Sequence, residues 1–202
     1  MLYTHAGPEI AVASTKAFLA QITATYLLGL YLAQLRDNKF ADEVESILAE
    51  LRDMPDKIQQ VIDGEKQVAE LAETRHDAES VLFLGRHVGF PVALEGALKL
   101  KEIAYLHAEG FAAGELKHGP IALIEEGQPV FVIVPSPRGR DSLHAKVVSN
   151  IQEIRARGAV AVVIAEEGDT AVEEFANHII RIPQTPTLLQ PLVATVPLQI
   201  FA

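Results

Sequence analysis

The most informative absence in this sequence is cysteine. None of the 202 residues is a cysteine, which excludes a disulfide framework, a thiolate metal site and a cysteine nucleophile. The same absence fits a reducing compartment, and we expect a cytoplasmic protein.

Positive charge is also scarce. The chain carries 17 lysines and arginines against 27 aspartates and glutamates, which gives a net charge of −10. A surplus of negative charge disfavours nucleic acids and anionic membrane surfaces as partners. We therefore expect neither a nucleic acid nor a membrane partner.

A targeting signal is missing as well, because the first ten residues lack a basic start followed by an apolar core. Residues 17–35 are uncharged and approach the roughly 20 residues that span a bilayer. However, Gln21, Thr23, Thr25 and Gln34 interrupt this segment, and no second apolar span follows. The pattern favours a core helix of a soluble domain over a membrane helix.

What the sequence does contain is a large apolar fraction, with 49% hydrophobic residues and a mean hydropathy of +0.19, as expected of a globular protein. Its second half has continuous apolar runs, which are typical of parallel strands covered on both faces. The predicted strands are residues 80–85, 129–135, 159–165 and 178–183. The predicted helices are residues 91–107, 141–157 and 171–176, and a last helix from residue 188. This pattern predicts an open α/β sheet.

A charged segment, residues 37–79, precedes this sheet. Val44, Ile47 and Leu51 follow helical spacing before Pro55, which predicts a helical hairpin connector. The last residues end inside an apolar helical pattern without a C-cap signal, and the first enter a helix with no strand before it. We therefore expect a fragment of a longer protein.

Residues 95–120 concentrate ionisable side chains in an otherwise apolar segment. Helical rotation of about 100° per residue places Glu95, Lys99 and Glu102 on one side of a helix. They could form an ion-pair ladder on a solvated surface. Apolar residues around the rest of the helix instead indicate burial, and buried charges need partners or a functional cleft.

His118 follows this helix in the sequence GELKHGP. Gly114, Gly119 and Pro120 favour turns there, so we expect a loop that presents the imidazole near the helix carrying Glu102. A loop histidine can also be merely solvated. Together with the carboxylates and the lysine, it fits proton transfer between adjacent carbons beside a carbonyl, after a sugar ring has opened.

Two segments, residues 93–123 (ALEGALKLKEIAYLHAEGFAAGELKHGPIAL) and 6–18 (AGPEIAVASTKAF), resemble the isomerase half of the glutamine–fructose-6-phosphate aminotransferase family. The resemblance extends over nearly the whole chain. It implies two sugar-isomerase (SIS) domains of flavodoxin-like, three-layer α/β fold with a parallel sheet flanked by helices. By this likeness, residues 1–38 are the remnant of the first domain, 39–71 a helical connector, and 72–202 the second domain without its C-terminal tail.

The resemblance also implies an activity. Members of the family convert fructose 6-phosphate to glucosamine 6-phosphate with ammonia from a glutaminase domain of the same chain, without a metal or an organic cofactor. Glu102 matches the carboxylate that moves a proton between C1 and C2. His118 matches the ring-opening histidine, which serves the active site of the other subunit in a homodimer. Supporting positions are matched by Lys99 and Glu95 for acid/base chemistry, and by Val12, Ala13 and Ser14 for a loop lining the sugar pocket.

By the same resemblance, the family's phosphate-binding loop, which is rich in serine, glycine and threonine, is expected upstream of residue 1, and the closest local sequence, residues 136–141 (SPRGRD), is not that loop. The family's terminal cysteine and C-terminal lysine are also missing. We therefore expect the chain alone to be inactive, although it holds isomerase residues.

Two alternatives remain open. The first is a ketose/aldose isomerase or an amino-sugar-phosphate deaminase of the SIS superfamily, which could use the same helix chemistry. The second is a non-catalytic SIS module that binds sugar phosphates or only dimerises. Retention of Glu102, Lys99 and His118 together weighs against this second alternative.

Overall fold

A sheet of parallel strands organises the chain. The computed structural model describes residues 1–138 and 143–202, and its five strands lie in the order β2-β1-β3-β4-β5. They are β1 (Ser80–Gly85), β2 (His107–Ala112), β3 (Pro129–Ile133), β4 (Val160–Glu166) and β5 (His178–Ile182). All neighbours pair in parallel. This strand order is that of flavodoxin-like doubly wound folds.

The sequence predicted four of these strands, with ends that differ by at most two residues, but it missed β2. The predicted helix over residues 91–107 is wrong at its end, because His107 already starts β2. Strand β2 has the sequence HAEGFA, which is short and mostly not apolar. It lies at the edge of the sheet, and Ala108 is the only buried residue of this strand. An edge strand therefore lacks the continuous apolar run by which the other strands were found.

The helices surround this sheet. They are α1 (Lys16–Leu35), α2 (Ala41–Arg52), α3 (Met54–Asp63), α4 (Glu65–Glu73), α5 (Gly89–Lys99), α6 (Leu143–Arg155), α7 (Gln190–Ala194) and α8 (Val196–Phe201). The predicted connector is helical, but it is not a hairpin of two helices, because three helices, α2, α3 and α4, occupy this segment. Gly64 separates the last two of these helices.

Two further helix predictions need correction. Residues 171–176 form no α-helix but only a 3-10 turn, Thr170–Val172. The last predicted helix is split into α7 and α8, since Pro197 at the start of α8 interrupts the hydrogen bonding. The predicted start of a helix at residue 141, and the end of the 136–141 segment, lie outside the described residues.

Both faces of the sheet are covered, which explains the continuous apolar strands. Phe83 and Phe131 point to one face, where they pack with helices α3, α4, α5, α7 and α8. Phe131 also contacts Phe201 of α8 edge to face, with ring centroids 4.6 Å apart. Alternate strand residues such as Leu84 and Val132 pack with α6 on the other face. The result is the predicted three-layer arrangement.

Helix α1 lies at the periphery of the chain. It is long and apolar enough to cross a bilayer by length and composition alone. Leu19, Ile22 and Tyr26 pack against the core, yet no residue of the helix is fully buried. The helix was predicted to be a core helix, but in this chain it leaves an apolar face exposed that includes Leu28 and Tyr31.

Candidate active site

Helix α5 carries the predicted ionisable residues into the interior. Glu95 and Lys99 are 8% and 2% exposed, so the alternative of a solvated ladder is wrong for these two side chains. Gly96 makes the burial possible, because a Cβ atom there would lie only 2.7 Å from Leu198 Cδ1 and 3.0 Å from the Phe83 ring. The helix therefore packs tightly against β1 and α8.

A π-helical turn, Leu100–Ala104, extends α5 and carries Glu102. Such turns are rare in proteins, and those that occur often lie at functional sites. Tyr105, with a φ of 57°, ends the turn in the left-handed region. This arrangement leaves Glu102 partly exposed, with a side-chain exposure of 31%, at the solvent end of a buried polar cluster.

Lys99 joins the two carboxylates. Its Nζ atom donates a hydrogen bond to Glu102 Oε2 at 2.6 Å and lies 3.3 Å from Glu95 Oε1. Among residues 1–138 and 143–202, this Glu95 oxygen has no hydrogen-bond partner. The cluster thus places two carboxylates beside one buried ammonium group.

Burial and charge act differently on the members of this cluster. Desolvation raises the pKa of the Glu95 carboxyl, and the positive charge of Lys99 offsets this only in part. Burial by itself would lower the pKa of the Lys99 ammonium, but the hydrogen bond to Glu102 and the charge of Glu95 outweigh burial and raise this pKa. Lys99 therefore stays charged, and the buried Glu95 carboxyl holds a proton more readily than a free glutamate does.

The loop of Val12, Ala13 and Ser14 precedes α1. Ala13 is 4% exposed, whereas Val12 is 93% exposed and Ser14 is half-buried. Glu9 fixes the loop, since its carboxylate accepts hydrogen bonds from the Thr15 hydroxyl at 3.2 Å and the Ala17 N–H at 3.1 Å. The sequence analysis missed this role of Glu9, because Glu9 lies well before the first residue of α1, Lys16, and no local capping pattern marks it.

Helix α8 connects this loop to α5. Gln199 donates a hydrogen bond to the Thr15 carbonyl at 3.5 Å, and the preceding residue, Leu198, contacts α5 beside Gly96. The loop and the cluster of Glu95, Lys99 and Glu102 therefore both adjoin α8.

His118 lies elsewhere. Strands β1 and β2 are parallel, with Ser80 opposite His107 and Gly85 opposite Ala112. Glu102 precedes β2 at the amino edge of the sheet, whereas His118 ends the 3-10 turn Ala113–His118, which follows β2 at the carboxyl edge. The length of β2, about 17 Å over five steps of about 3.3 Å, separates the two edges.

The prediction that the loop of His118 lies near the helix carrying Glu102 is therefore wrong within one chain. The 3-10 turn instead packs near α6, and His118 is exposed at its end. Consecutive motifs were taken to be neighbours in space, but the unrecognised strand carries the chain away between them.

The residues that position this turn also escaped the sequence analysis. Arg86 follows β1 and donates to Asn150 of α6 at 3.2 Å. Lys117 pairs with Glu153 of the same helix at 3.0 Å. The location of Arg86 directly after an apolar strand was the available signal, because polar residues at carboxyl ends of parallel strands meet at one edge.

No group of three or more histidine, cysteine, aspartate or glutamate side chains is arranged to hold a metal ion within residues 1–138 and 143–202. The ionisable side chains of the cluster on α5 and its π-helical turn are a lysine and two glutamates, a set suited to moving protons.

Comparisons with known proteins give the chain its relatives. Residues 76–202 match the model of the SIS domain family. The chain is 84% identical over 201 residues to glutamine–fructose-6-phosphate aminotransferase (isomerizing) of Corynebacterium glutamicum, and covers 32% of that protein. It is 66% identical to the protein of the same name from Streptomyces coelicolor, and covers 33% of it. All of this chain is matched in both comparisons, so it spans about a third of the length of these relatives.

A solved structure agrees with these relatives. The C-terminal domain of glucosamine-fructose-6-phosphate aminotransferase from Francisella tularensis superposes with a TM-score of 0.88 at 36% identity. The match covers 96% of this chain and 54% of that one. With the family model matching residues 76–202 and the parallel sheet of the same fold, the chain belongs to the SIS domain family.

Proposed function

We propose that this chain is the sugar-phosphate isomerase part of an enzyme that makes glucosamine 6-phosphate from fructose 6-phosphate and glutamine-derived ammonia. The observation that carries the proposal is the 2.6 Å contact between Lys99 and Glu102 at the open end of a buried helix. A carboxylate held in this way can take the proton from C1 of the opened sugar and return it to C2. The names of the relatives supply the substrate class.

Lys99 and Glu95 support the base. The ammonium of Lys99 donates to Glu102 Oε2 and so fixes this carboxylate in place, and a carboxylate is the form that accepts a proton. Glu95, whose pKa burial raises, holds the other side of the ammonium. The loop of Val12, Ala13 and Ser14, near the same helix α8, lines the sugar pocket.

His118 opens the sugar ring in this proposal, and it comes from a second copy of the chain. The separation of Glu102 and His118 by the length of β2 supports a homodimer with a shared site. Apolar side chains around Glu102 provide a surface for such a contact, since Leu98 and Ile103 are 40% and 42% exposed. Tyr105 beside them is 90% exposed.

The same proposal includes the wider protein. Residues 1–38 belong to a first SIS domain, 39–71 to a connector, and 72–202 to a second SIS domain, with a glutaminase domain in the same longer chain. Its product enters amino-sugar synthesis toward UDP-N-acetylglucosamine in the cytoplasm. Without the phosphate-binding loop, the chain by itself turns over little or no sugar phosphate.

The test uses a protein of the relatives' length that carries this sequence. It is supplied with fructose 6-phosphate and ammonia, and glucosamine 6-phosphate is measured. Glu102→Gln keeps the shape of the side chain but not the base, so we expect loss of turnover of about 10²-fold or more. Glu70→Gln, an exposed carboxylate on α4, is the matched control and keeps the parent rate.

Mixing subunits tests the second copy. Glu102→Gln and His118→Gln proteins are each inactive alone, but in a mixed two-fold dimer one of the two sites has both native residues. Random exchange then restores about a quarter of the parent activity. A Glu102→Gln protein at the parent rate refutes the role of the base, and a mixture without recovered activity refutes the shared site.

A further inference from the structure

The turn that carries His118 is held at its beginning by Arg86. The Arg86 Nη2 atom donates to the Ala113 carbonyl at 3.5 Å, and its Nε atom donates to Asn150 Oδ1 at 3.2 Å. Asn150 is 4% exposed. The guanidinium also lies against Gly114, where a Cβ would be 3.1 Å from Nη1. Arg86 thus joins the end of β1, helix α6 and the start of the turn.

The end of the turn is held by Glu153 of α6. One carboxylate oxygen forms an ion pair with Lys117, whose Nζ atom lies 3.0 Å away, and the other accepts a hydrogen bond from Asn150 Nδ2 at 3.4 Å. Asn150 therefore lies between both anchors and connects them. The residue next to Lys117 is His118.

The remaining side of His118 is open. Gly119 follows with a φ of 151°, and no atom of the described residues lies within 4 Å of the position that a Cβ would occupy there. Within the turn, Ala113 and Leu116 are buried, but the imidazole is exposed. The anchors at Ala113 and Lys117 consequently fix the backbone position from which the His118 side chain extends.

We propose that Arg86 and Glu153, connected through Asn150, are positioning residues that orient His118 for the sugar held by another copy of the chain. This inference rests on the proposed function, because it assigns the network a task only if His118 acts on the sugar. In this proposal, Arg86, Asn150 and Glu153 do not touch the substrate. They act by fixing the turn, and a displacement of about 1 Å can lower a rate about 10²-fold.

The test compares Glu153→Gln, Lys117→Gln and the double variant in the protein of the relatives' length. Glutamine has nearly the shape of glutamate, so the change removes the charge with little change in packing. We expect each single variant to lower kcat about tenfold or more while KM for fructose 6-phosphate changes less than about twofold. The double variant should be no slower than the slower of the two single variants, because both single changes break the contact between Lys117 and Glu153.

Three further measurements separate positioning from general stability. In Glu153→Gln and Lys117→Gln, amide hydrogen exchange should become faster in residues 113–118 only. Lys117→Arg keeps the charge, so it should retain most of the parent kcat that Lys117→Gln loses. Glu173→Gln removes another surface ion pair, with Arg181, and should leave both kcat and exchange unchanged.

Two results would overturn the inference while leaving the proposed function intact. One is an unchanged kcat in Glu153→Gln, with or without faster exchange, when Glu102→Gln is inactive. The other is a double variant whose loss equals the product of the single losses, since Lys117 would then act independently of Glu153. A parent protein that makes no glucosamine 6-phosphate instead refutes the proposed function and takes this inference with it.

Discussion

Replacing Lys99 by methionine should make the stability of this protein steeply dependent on pH. The ammonium is the only described cation in contact with Glu95, which is 8% exposed. Methionine fills a similar volume but leaves this carboxylate buried without its charge partner. Breaking a buried ion pair in this way costs about 3–5 kcal/mol. For a chain of this size, the melting temperature should fall by about 2–4 °C per kcal/mol.

The pH dependence follows from the pKa of Glu95. Burial already raises this pKa in the parent, and loss of the ammonium raises it further, so the folded variant holds a proton that the unfolded chain releases above about pH 4.3. Stability is then complete below that pH and is lost as pH rises toward the folded pKa, by at most about 1.4 kcal/mol per pH unit. The parent should lose less over the same range.

Denaturation by urea at about pH 4.5 and 7.5 measures this difference, with 4.3 as the ordinary pKa of a free glutamate. The destabilisation should be large at the higher pH and small at the lower one. Adding Glu95→Gln to Lys99→Met should remove most of the pH dependence. Lys66→Met, on an exposed lysine, should change stability by less than about 0.5 kcal/mol. Equal destabilisation at both pH values would refute a buried, proton-accepting Glu95.

Two further changes test packing and buried polar contacts, each by urea denaturation. Gly96→Ala should lower the free energy of unfolding by about 1–3 kcal/mol, because the new methyl meets Leu198 Cδ1 at 2.7 Å. Gly29→Ala, in the exposed middle of α1 where nothing lies within 4 Å, should raise it by about 0.5–1 kcal/mol, and equal effects at both glycines would contradict this. Glu166→Gln should cost about 1–3 kcal/mol, since both oxygens accept hydrogen bonds, one from Ser136 at 3.0 Å and one from a backbone N–H at 3.1 Å; an unchanged stability would show that these bonds contribute nothing.

Strands buried on both faces were predictable from the sequence because their environment is apolar on every side. Val130, Phe131 and Val132 are each fully buried, so every position of β3 is selected to be apolar and the run is continuous. Strand β2 has a neighbour on one side only. Its glutamate and glycine carry no such signal, and the helix prediction extended over its first residue.

The cluster of Glu95, Lys99 and Glu102 was predictable for a different reason. Helical periodicity places these three residues on one side of a helix, and the apolar residues around them indicate burial. The π-helical turn at Leu100–Ala104 was not predictable, because its hydrogen bonding departs from α-helical geometry without a distinctive residue pattern. Lys99 still reaches Glu102 because both lie within one turn of each other.

The strand that the sequence analysis missed is also the one that decides how the site can work. Helix α5 runs from the carboxyl edge of the sheet back to the amino edge and leaves Glu102 there, and β2 then returns the chain to the carboxyl edge before His118. A side chain reaches only a few ångströms, whereas β2 spans about 17 Å. A single copy therefore cannot apply both groups to one small sugar. A reaction that needs this carboxylate and this imidazole together requires a second copy, and the accuracy with which each copy presents its histidine then depends on the contacts that hold the turn, not on those that hold the base.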